Sequence, residues 1–336
     1  MAKVSRKGNE LRELIHKNDN CVGCGICADL CPTTAIRLGP VLPIARGIID
    51  MDLISINHDK CVLCGLCSNV CIFNALELTI NGKKTSSIDN YPVWEIGTSI
   101  NDDECILCGK CEKYCPRNSI FVKRQLPKLE DLVIGEIKTE VDKCINCQIC
   151  VEMCPNEAIS IQTGNDCKKN ELTPTGIDID KSKCVYCKIC QKVCPEDALQ
   201  IFCTTCMKND TISPVEIEGM ALLDNETCVN CGWCESICPT SAITTNKPFT
   251  GEVVITETEE NFCKGSDCNA CLDVCPCNAI TLDENNKAVF NNTVCNLCGA
   301  CSKVCPQRIL TINRTSIALN NIKSIAWKNI INNLTQ

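Results

Sequence analysis

The chain has 336 residues, 45% of them hydrophobic and 22% charged, a balance that excludes a disordered polyelectrolyte. A formal net charge of −8 makes nucleic acid an improbable partner. Cysteine is the outlying residue: there are 36, against two histidines, His16 and His58, so imidazole chemistry has almost no place.

The opening residues, MAKVSRKGNELRELIHKNDN, are charged throughout and lack the apolar segment of a secretory signal. The most apolar stretches outside the cysteine loops, GPVLPIARGIIDMDLISI and SIALNNIKSIAWKNIINNL, are interrupted by Arg46, Asp50, Asp52, Lys323 and Lys328. Neither reaches the run of about 20 apolar residues that spans a bilayer. The expectation is a cytoplasmic chain without membrane contact, its thiols kept reduced.

From residue 21 onward the spacing CxxCxxCxxxC recurs, and we number the copies one to eight. They are Cys21, Cys24, Cys27, Cys31; Cys61, Cys64, Cys67, Cys71; Cys105, Cys108, Cys111, Cys115; and Cys144, Cys147, Cys150, Cys154. The second half continues with Cys184, Cys187, Cys190, Cys194; Cys228, Cys231, Cys234, Cys238; Cys263, Cys268, Cys271, Cys275; and Cys295, Cys298, Cys301, Cys305. Motif seven alone departs, with four residues rather than two between its first two cysteines. Asp267 or Cys277 is the alternative to Cys263 there.

Together the motifs use 32 of the 36 cysteines. A disulfide scaffold has no reason to repeat one local spacing eight times, and thiols so close in one loop converge on a metal more readily than they pair across a fold. Structural zinc takes two separate CxxC knuckles or a Cys/His mixture. Three thiols from one loop, a fourth after three residues and usually a proline next are the ligand pattern of a 4Fe–4S cluster. Eight such clusters are expected, and at about −2 each they would bring the loaded chain to about −24.

First cysteines recur about every 40 residues, so each motif belongs to one repeat. Extended stretches such as LISINHDK and GIDIDKSK precede the motifs; a helix-compatible turn and alternating residues such as AIRL, ALEL, AISI, ALQI and AITL follow them. Each repeat therefore reads strand, cluster loop, short helix, strand. Two repeats resemble the bacterial two-cluster ferredoxin, in which three cysteines of one motif bind one cluster and the fourth reaches the other.

That resemblance implies an α+β chain of four tandem 2[4Fe–4S] ferredoxin-like modules, stapled by their clusters. The expected layout is an N-terminal segment 1–16, modules at 17–82, 96–165, 174–248 and 250–314, and a helical tail 315–336. It also implies Cys21, Cys24 and Cys27 with Cys71 on one cluster, and Cys61, Cys64 and Cys67 with Cys31 on the next. The same crossing is expected between motifs three and four, five and six, seven and eight. Nested pairing would leave the same motifs.

Four cysteines lie outside the pattern: Cys167, Cys203, Cys206 and Cys277. Cys203 and Cys206 form a CxxC that reads either as a redox dithiol or as ordinary thiols in an insertion without thioredoxin-like context. Cys167 reads as a small packed thiol. Around the motifs, Lys110 and Lys113 flank motif three and Lys183, Lys188 and Lys192 flank motif five, whereas Asp267 and Asp273 flank motif seven. Less negative potentials are expected at three and five, unless solvent screens the lysines. No Ser/His/Asp set, phosphate-cradling loop or nucleotide fingerprint is present, so the chain reads as an electron carrier and not an enzyme.

SRKGNELREL, LGPVLPIARG, YPVWEIG and VKRQLPKLEDLVIGEI, between the motifs, are similar to segments of the archaeal polyferredoxins. Among that family the phrases resemble the polyferredoxin subunits of formylmethanofuran dehydrogenase. The resemblance covers residues 1 to about 310 and implies a carrier of low-potential electrons to a tungsten or molybdenum enzyme that fixes CO2 in methanogenesis. Its implied partners are the other subunits of that enzyme, with ferredoxin, a hydrogenase or heterodisulfide reductase beyond them. The rival readings are a polyferredoxin of a hydrogenase, heterodisulfide reductase or energy-converting complex, and a thiol reductase built on Cys203 and Cys206. At the C-terminus, Ile317, Ile322, Ile325, Trp327, Ile330 and Ile331 outline a partly amphipathic helix expected to pack on its own domain.

Overall fold

A computed structural model describes residues 3–128, 136–166, 171–202 and 217–335. Cys167, Cys203 and Cys206, and with them the CxxC pair, lie outside the described residues.

Each repeat is built from a leading strand, a cysteine loop and a trailing strand. The expected helix forms, but earlier than the sequence suggests. It is a single turn inside the motif, as in Ile26–Asp29, Leu66–Asn69 and Lys110–Lys113, and it carries the third cysteine. One turn cannot stand alone, because nucleation outweighs its few hydrogen bonds. It is held by the loop around it and by a second such turn, as where Ile149–Met153 packs on Ile189–Val193.

Strand pairing shows which repeats share a module. The leading strand Leu11–His16 of motif one pairs with the trailing strand Leu76–Ile80 of motif two, and Ile36–Leu38 pairs with Ile54–Ile56. Motifs seven and eight repeat the scheme, with Phe249–Ile255 on Leu310–Ile317 and Ile280–Leu282 on Ala288–Phe290. The middle of the chain differs from the expected order. Glu136–Thr139, before motif four, pairs with Leu199–Phe202, after motif five, and Ile159–Asp166 pairs with Glu171–Ile179. Ile120–Gln125, after motif three, pairs with Glu218–Leu223, before motif six.

The expected modules 96–165 and 174–248 are therefore replaced by a nested arrangement: motifs four and five form one module, inserted between the halves of a module made from motifs three and six. The spacing within each motif cannot distinguish the two arrangements. The strands can, because each leading strand needs the trailing strand of its partner to complete a ladder and satisfy its backbone groups.

The chain divides into two compact units, Met1–Thr98 with Asp224–Trp233 and Thr245–Gln336, and Ser99–Leu223 with Cys234–Thr244. In the first, the N-terminal segment is not separate: Lys3–Lys7 pairs with Leu11–His16, giving a four-stranded sheet that continues through Leu76–Ile80 to Lys83–Lys84. Val4, Leu14, Ile36, Ile54, Leu63, Leu76 and Leu78 are buried beneath it. The C-terminal tail is part strand and part helix. Leu319–Asn320 pairs with Val93–Trp94, and a helix at Ile325–Leu334 starts where the Ser324 hydroxyl accepts from the Trp327 N–H. Trp327, Ile330 and Leu334 join the core that contains Phe249, Ile280, Val294 and Leu310, whereas Ile325 stays exposed. In the second unit the cores are small, one of them consisting of Ile159, Cys190 and Leu199.

Candidate metal centres

Three residues per repeat are placed in the left-handed region, at the same three offsets in all eight copies. The first stands two residues after the first cysteine: Gly23, Leu63, Leu107, Asn146, Tyr186, Asn230, Gly265 and Leu297. The second follows the second cysteine and precedes the helical turn: Gly25, Gly65, Gly109, Gln148, Lys188, Gly232, Asn269 and Gly299. The third stands three residues after the fourth cysteine: Thr34, Asn74, Asn118, Glu157, Asp197, Ser241, Asn278 and Arg308. Leucine, tyrosine and arginine adopt this conformation only at a cost of about 1–3 kcal/mol, so the loop must be held in it by what it encloses.

The loop turns amide hydrogens towards sulfur. Ala35, Ala75, Ser119, Ala158, Ala198, Ala242 and Ala279 each donate their N–H to the fourth cysteine of their motif at 3.2–3.3 Å. Tyr186, Asn230, Gly265 and Leu297 donate to the first cysteine of theirs at 3.3–3.5 Å. Such donors favour a thiolate over a thiol, which is the form that binds metal.

The cysteines gather as crossed sets. Cys144, Cys147 and Cys150 share a cavity with Cys194, and Cys184, Cys187 and Cys190 share one with Cys154. Cys105, Cys108 and Cys111 face Cys238, which confirms from the thiols the nesting seen in the strands. Cys263, Cys268 and Cys271 line a cavity with Cys305, and neither Asp267 nor Cys277 lines it. Cys275 raises the energy of ionising Cys295, Cys298 and Cys301, as Cys71 does for Cys21, Cys24 and Cys27. Cys67 likewise feels Cys61, Cys64 and Cys31. These contacts leave Cys115, Cys228, Cys231 and Cys234 as the remaining four motif thiols.

The two additional residues of motif seven are absorbed by the 3-10 turn Gly265–Asp267. Gly265 has φ +54°, and a Cβ there would meet the Asn286 carbonyl at 1.9 Å, so only glycine fits. Glu257 accepts the Cys263 N–H at 2.7 Å and is tied to Lys287 at 2.9 Å, fixing the lengthened start of the loop.

Burial, followed by the neighbouring thiols, pushes Cys21 up to about 11 and Cys111 and Cys190 up to about 12. Four crowded thiolates without a counter-charge would repel one another in a desolvated space. Metal supplies that counter-charge, so the donor set suits a cationic iron core. Cys31 is an exception: burial acts to raise it, but the Ala35 N–H and the Thr33 hydroxyl hold it below its ordinary value. Cys231 is another, held below its ordinary value by the neighbouring Cys277 thiol.

A feature that the cysteine spacing does not announce is a set of arginines beneath the loops. Arg12 donates to the Leu63 carbonyl at 3.1 Å, Arg124 to Leu107 at 2.7 Å and Arg314 to Leu297 at 2.8 Å. Each carbonyl belongs to the left-handed residue two after a first cysteine. Arg314 also reaches the carbonyls of Cys298 and Leu334, both at 3.2 Å, and lies 4.7 Å from the centre of the Phe249 ring. The signal was present as one arginine on a strand adjoining the loop, but nothing local distinguishes it from an exposed charge. Conversely, two flanking charges noted in the sequence are paired: Lys113 with Glu152 at 3.1 Å and Asp273 with Arg46 at 2.7 Å. Their contrast across the motifs is correspondingly reduced.

Neighbouring centres also meet between modules. Cys24 of motif one feels Cys298 of motif eight directly after burial among the influences on its ionisation. Arg46 donates to the Cys268 carbonyl at 2.6 Å, and Lys303 pairs with Asp29 at 2.8 Å, joining the chain's first and last modules. In the other unit, Cys108 of motif three packs with Cys187 of motif five through Met153, Ile189 and Val193.

Comparison with known proteins agrees with the cluster-binding character of the loops. A family model for the 4Fe–4S dicluster domain matches residues 20–75, 60–119, 143–198 and 262–309, and a second dicluster model matches 98–155. A 4Fe–4S binding-domain model matches 221–244. The matches at 60–119 and 98–155 join motifs adjacent in sequence, whereas the fold joins three with six. The polyferredoxin protein FwdF of Methanocaldococcus jannaschii is 52% identical over 128 residues, which span 38% of this chain and only 36% of that relative.

Among solved structures, a chain of the formate dehydrogenase, heterodisulfide reductase and formylmethanofuran dehydrogenase complex from Methanospirillum hungatei is similar, with TM-score 0.63 and 27% identity. The alignment covers 99% of this chain and 88% of that one. No helix among the described residues is long and apolar enough to cross a membrane. With ferredoxin-type domains along its length, the chain belongs to the 4Fe–4S dicluster domain family.

Proposed function

We propose that this chain is the electron-carrying subunit of a formylmethanofuran dehydrogenase complex and has no catalytic site of its own. The observation that carries the proposal is the eightfold recurrence of one loop, with three thiols, a fourth from the partner repeat and amide hydrogens directed at sulfur. When bound, each cluster supplies a one-electron redox centre whose potential follows its hydrogen bonds, charge and exposure.

The residues that would hold the clusters are the 32 motif cysteines, Cys263 among them. The crossing is one with two, three with six, four with five, and seven with eight. The buried thiols hold the clusters in place; the strands Leu11–His16 and Phe249–Ile255 with their partners fix the distance between paired centres. Approaches such as Cys24 to Cys298 shorten the step from one module to the next, and tunnelling falls steeply with that gap. The small cores leave much of the folding free energy to the clusters, so chain without iron is expected to be largely unfolded. The proposed partners are heterodisulfide reductase, formate dehydrogenase and the other subunits of formylmethanofuran dehydrogenase, a reading supported by the complex in which the similar solved chain is found; a tungsten or molybdenum subunit, a hydrogenase and a cytoplasmic location belong to the same proposal through the family resemblance.

The experiment is anaerobic purification from the native source, with iron and acid-labile sulfide measured and the co-purifying proteins identified. About 32 iron per chain, four for each cluster, with a pterin-metal enzyme attached, is the expected result. Co-purification with a hydrogenase alone would move the chain to the rival assignment. About 28 iron would remove one centre, motif seven being the first to examine.

A further inference from the structure

Of the two histidines, His58 is exposed and His16 is fully buried. Among the described residues neither ring nitrogen of His16, Nδ1 or Nε2, has a hydrogen-bond partner. A neutral imidazole carries one N–H donor and one acceptor, and holding the donor away from water with nothing to receive it carries the full desolvation cost of the group. The functional reading given above does not use this residue.

Strand register shows what the position faces. His16 pairs with Leu76, the fifth residue after the fourth cysteine of motif two. Thr139 pairs with Leu199, and Ile255 with Leu310, at the same offset from Cys194 and Cys305. Both of those pairs line the cavity that holds the crossed thiol set of their repeat, for motifs four and seven respectively. Ile100, five residues before Cys105 as His16 is before Cys21, lines the cavity of motif three. Along its own strand His16 shares a buried face with Leu14, and Cys21, Cys27 and Cys71 pack against the core that contains Leu14 and Leu76. The register therefore puts an imidazole against the set Cys21, Cys24, Cys27 and Cys71. At the same place five residues before a first cysteine, motifs two, three, five, six and eight carry the apolar Ile56, Ile100, Ile179, Leu223 and Phe290.

We infer that His16 donates its N–H to a sulfur of the motif-one cluster and makes that centre easier to reduce than an apolar residue at the same position would. The inference rests on reading Cys21, Cys24, Cys27 and Cys71 as a cluster site. Sulfur in such a centre carries negative charge that grows when an electron arrives, and a donor aimed at it in a space closed to water favours the reduced form over the oxidised one. No bond is made or broken; the proton stays on His16 while the electron comes and goes. Cys24 of this set packs against the same core as Cys298 of motif eight, so the centre so adjusted stands at the step between the chain's first and last modules.

The test uses the full cluster-loaded chain and combines iron content, EPR-monitored redox titration and pulsed EPR of reduced protein labelled with 15N-histidine. The label reports only His16 and His58. The parent should show 15N coupling to a reduced cluster; His58→Gln should keep that coupling and His16→Leu should abolish it. His16→Leu should also retain its iron while one cluster becomes harder to reduce by about tenfold in its equilibrium constant, about 59 mV for a one-electron couple. His16→Gln keeps an N–H and should recover part of that shift. His16→Ile, which copies the side chain of motifs two and three, carries the same expectation as His16→Leu should the latter load poorly. Unchanged potentials in both apolar variants, or no 15N coupling in the parent, would reduce His16 to a packing residue and overturn the inference. Loss of about four iron in every His16 variant would make the residue a requirement for assembling the site and overturn its role as a donor that adjusts potential. A parent chain far short of its eight clusters would fail the underlying reading, a result separable from these.

Discussion

Replacing Cys108 and Cys238 singly and together tests the nested pairing by stoichiometry. Cys108 and Cys238 line one cavity although they come from motifs three and six. Each alanine variant should lose one centre, taking a full complement of about 32 iron to about 28. If the two thiols serve the same cluster, the double variant also stops at about 28, a non-additivity expected only of residues acting as a unit. Chain-order pairing instead puts Cys238 with Cys184, Cys187 and Cys190, so the double variant would fall to about 24. Cys187→Ala with Cys238→Ala is the reciprocal control, about 24 under nesting and about 28 under chain order. Where a damaged site retains a three-iron cluster, the losses shrink to about one iron per centre but keep their ratio. The assay is iron and sulfide per chain with EPR of the reduced protein. Full additivity for Cys108 with Cys238 would refute the nested fold.

Gly265→Ala should destabilise motif seven selectively by about 3 kcal/mol, because it combines left-handed strain with a backbone collision; chelator challenge should release that cluster's iron first. Cys263→Ser should alter one cluster spectrum, and an unchanged spectrum would remove Cys263 from the ligand set. Arg314→Met should lower thermal stability, by about 3 kcal/mol for lost charged hydrogen bonds to buried carbonyls, and shift the motif-eight potential to more negative values; a shift in neither would make the arginine incidental. His16 is fully buried and burial holds it below its ordinary value of 6.5. The unfolded chain therefore takes up the proton first as pH falls below 6.5, and stability is lost in that direction, by at most about 1.4 kcal/mol per pH unit. In denaturant titrations at pH 7 and below 6, the parent should lose stability relative to His16→Leu as the pH falls, and equal pH dependence in both would contradict this account.

The ligand chemistry was legible because it is local: the cysteine spacing, the following proline and the glycine after the second cysteine each act within one loop. Strand positions were legible for the same reason, since AIRL, ALEL and AITL alternate beside their motifs. The pairing of motifs was not, because Glu218–Leu223 carries no mark that it needs Ile120–Gln125 rather than a nearer strand. The helical turn was misplaced by a few residues because its formation depends on the third cysteine being held, and no propensity sum contains that constraint. Arg12, Arg124 and Arg314 were not legible because an arginine on a short strand has the same appearance whether it faces solvent or a loop carbonyl. Motif seven illustrates the converse: its irregular spacing masks a loop with the same three left-handed positions as the other seven.

Nesting also imposes a schedule on synthesis. Thr240 donates to the Glu104 carbonyl across 136 residues of chain, a length that takes a ribosome roughly 10 s to make. During that interval the repeats of motifs four and five emerge together and can mature as a pair. Motif three must wait, its thiols already out of the tunnel while their fourth partner has yet to be translated. Oxygen or a competing metal has longest to act there, so the vulnerable moment in making this protein falls at Cys105, Cys108 and Cys111.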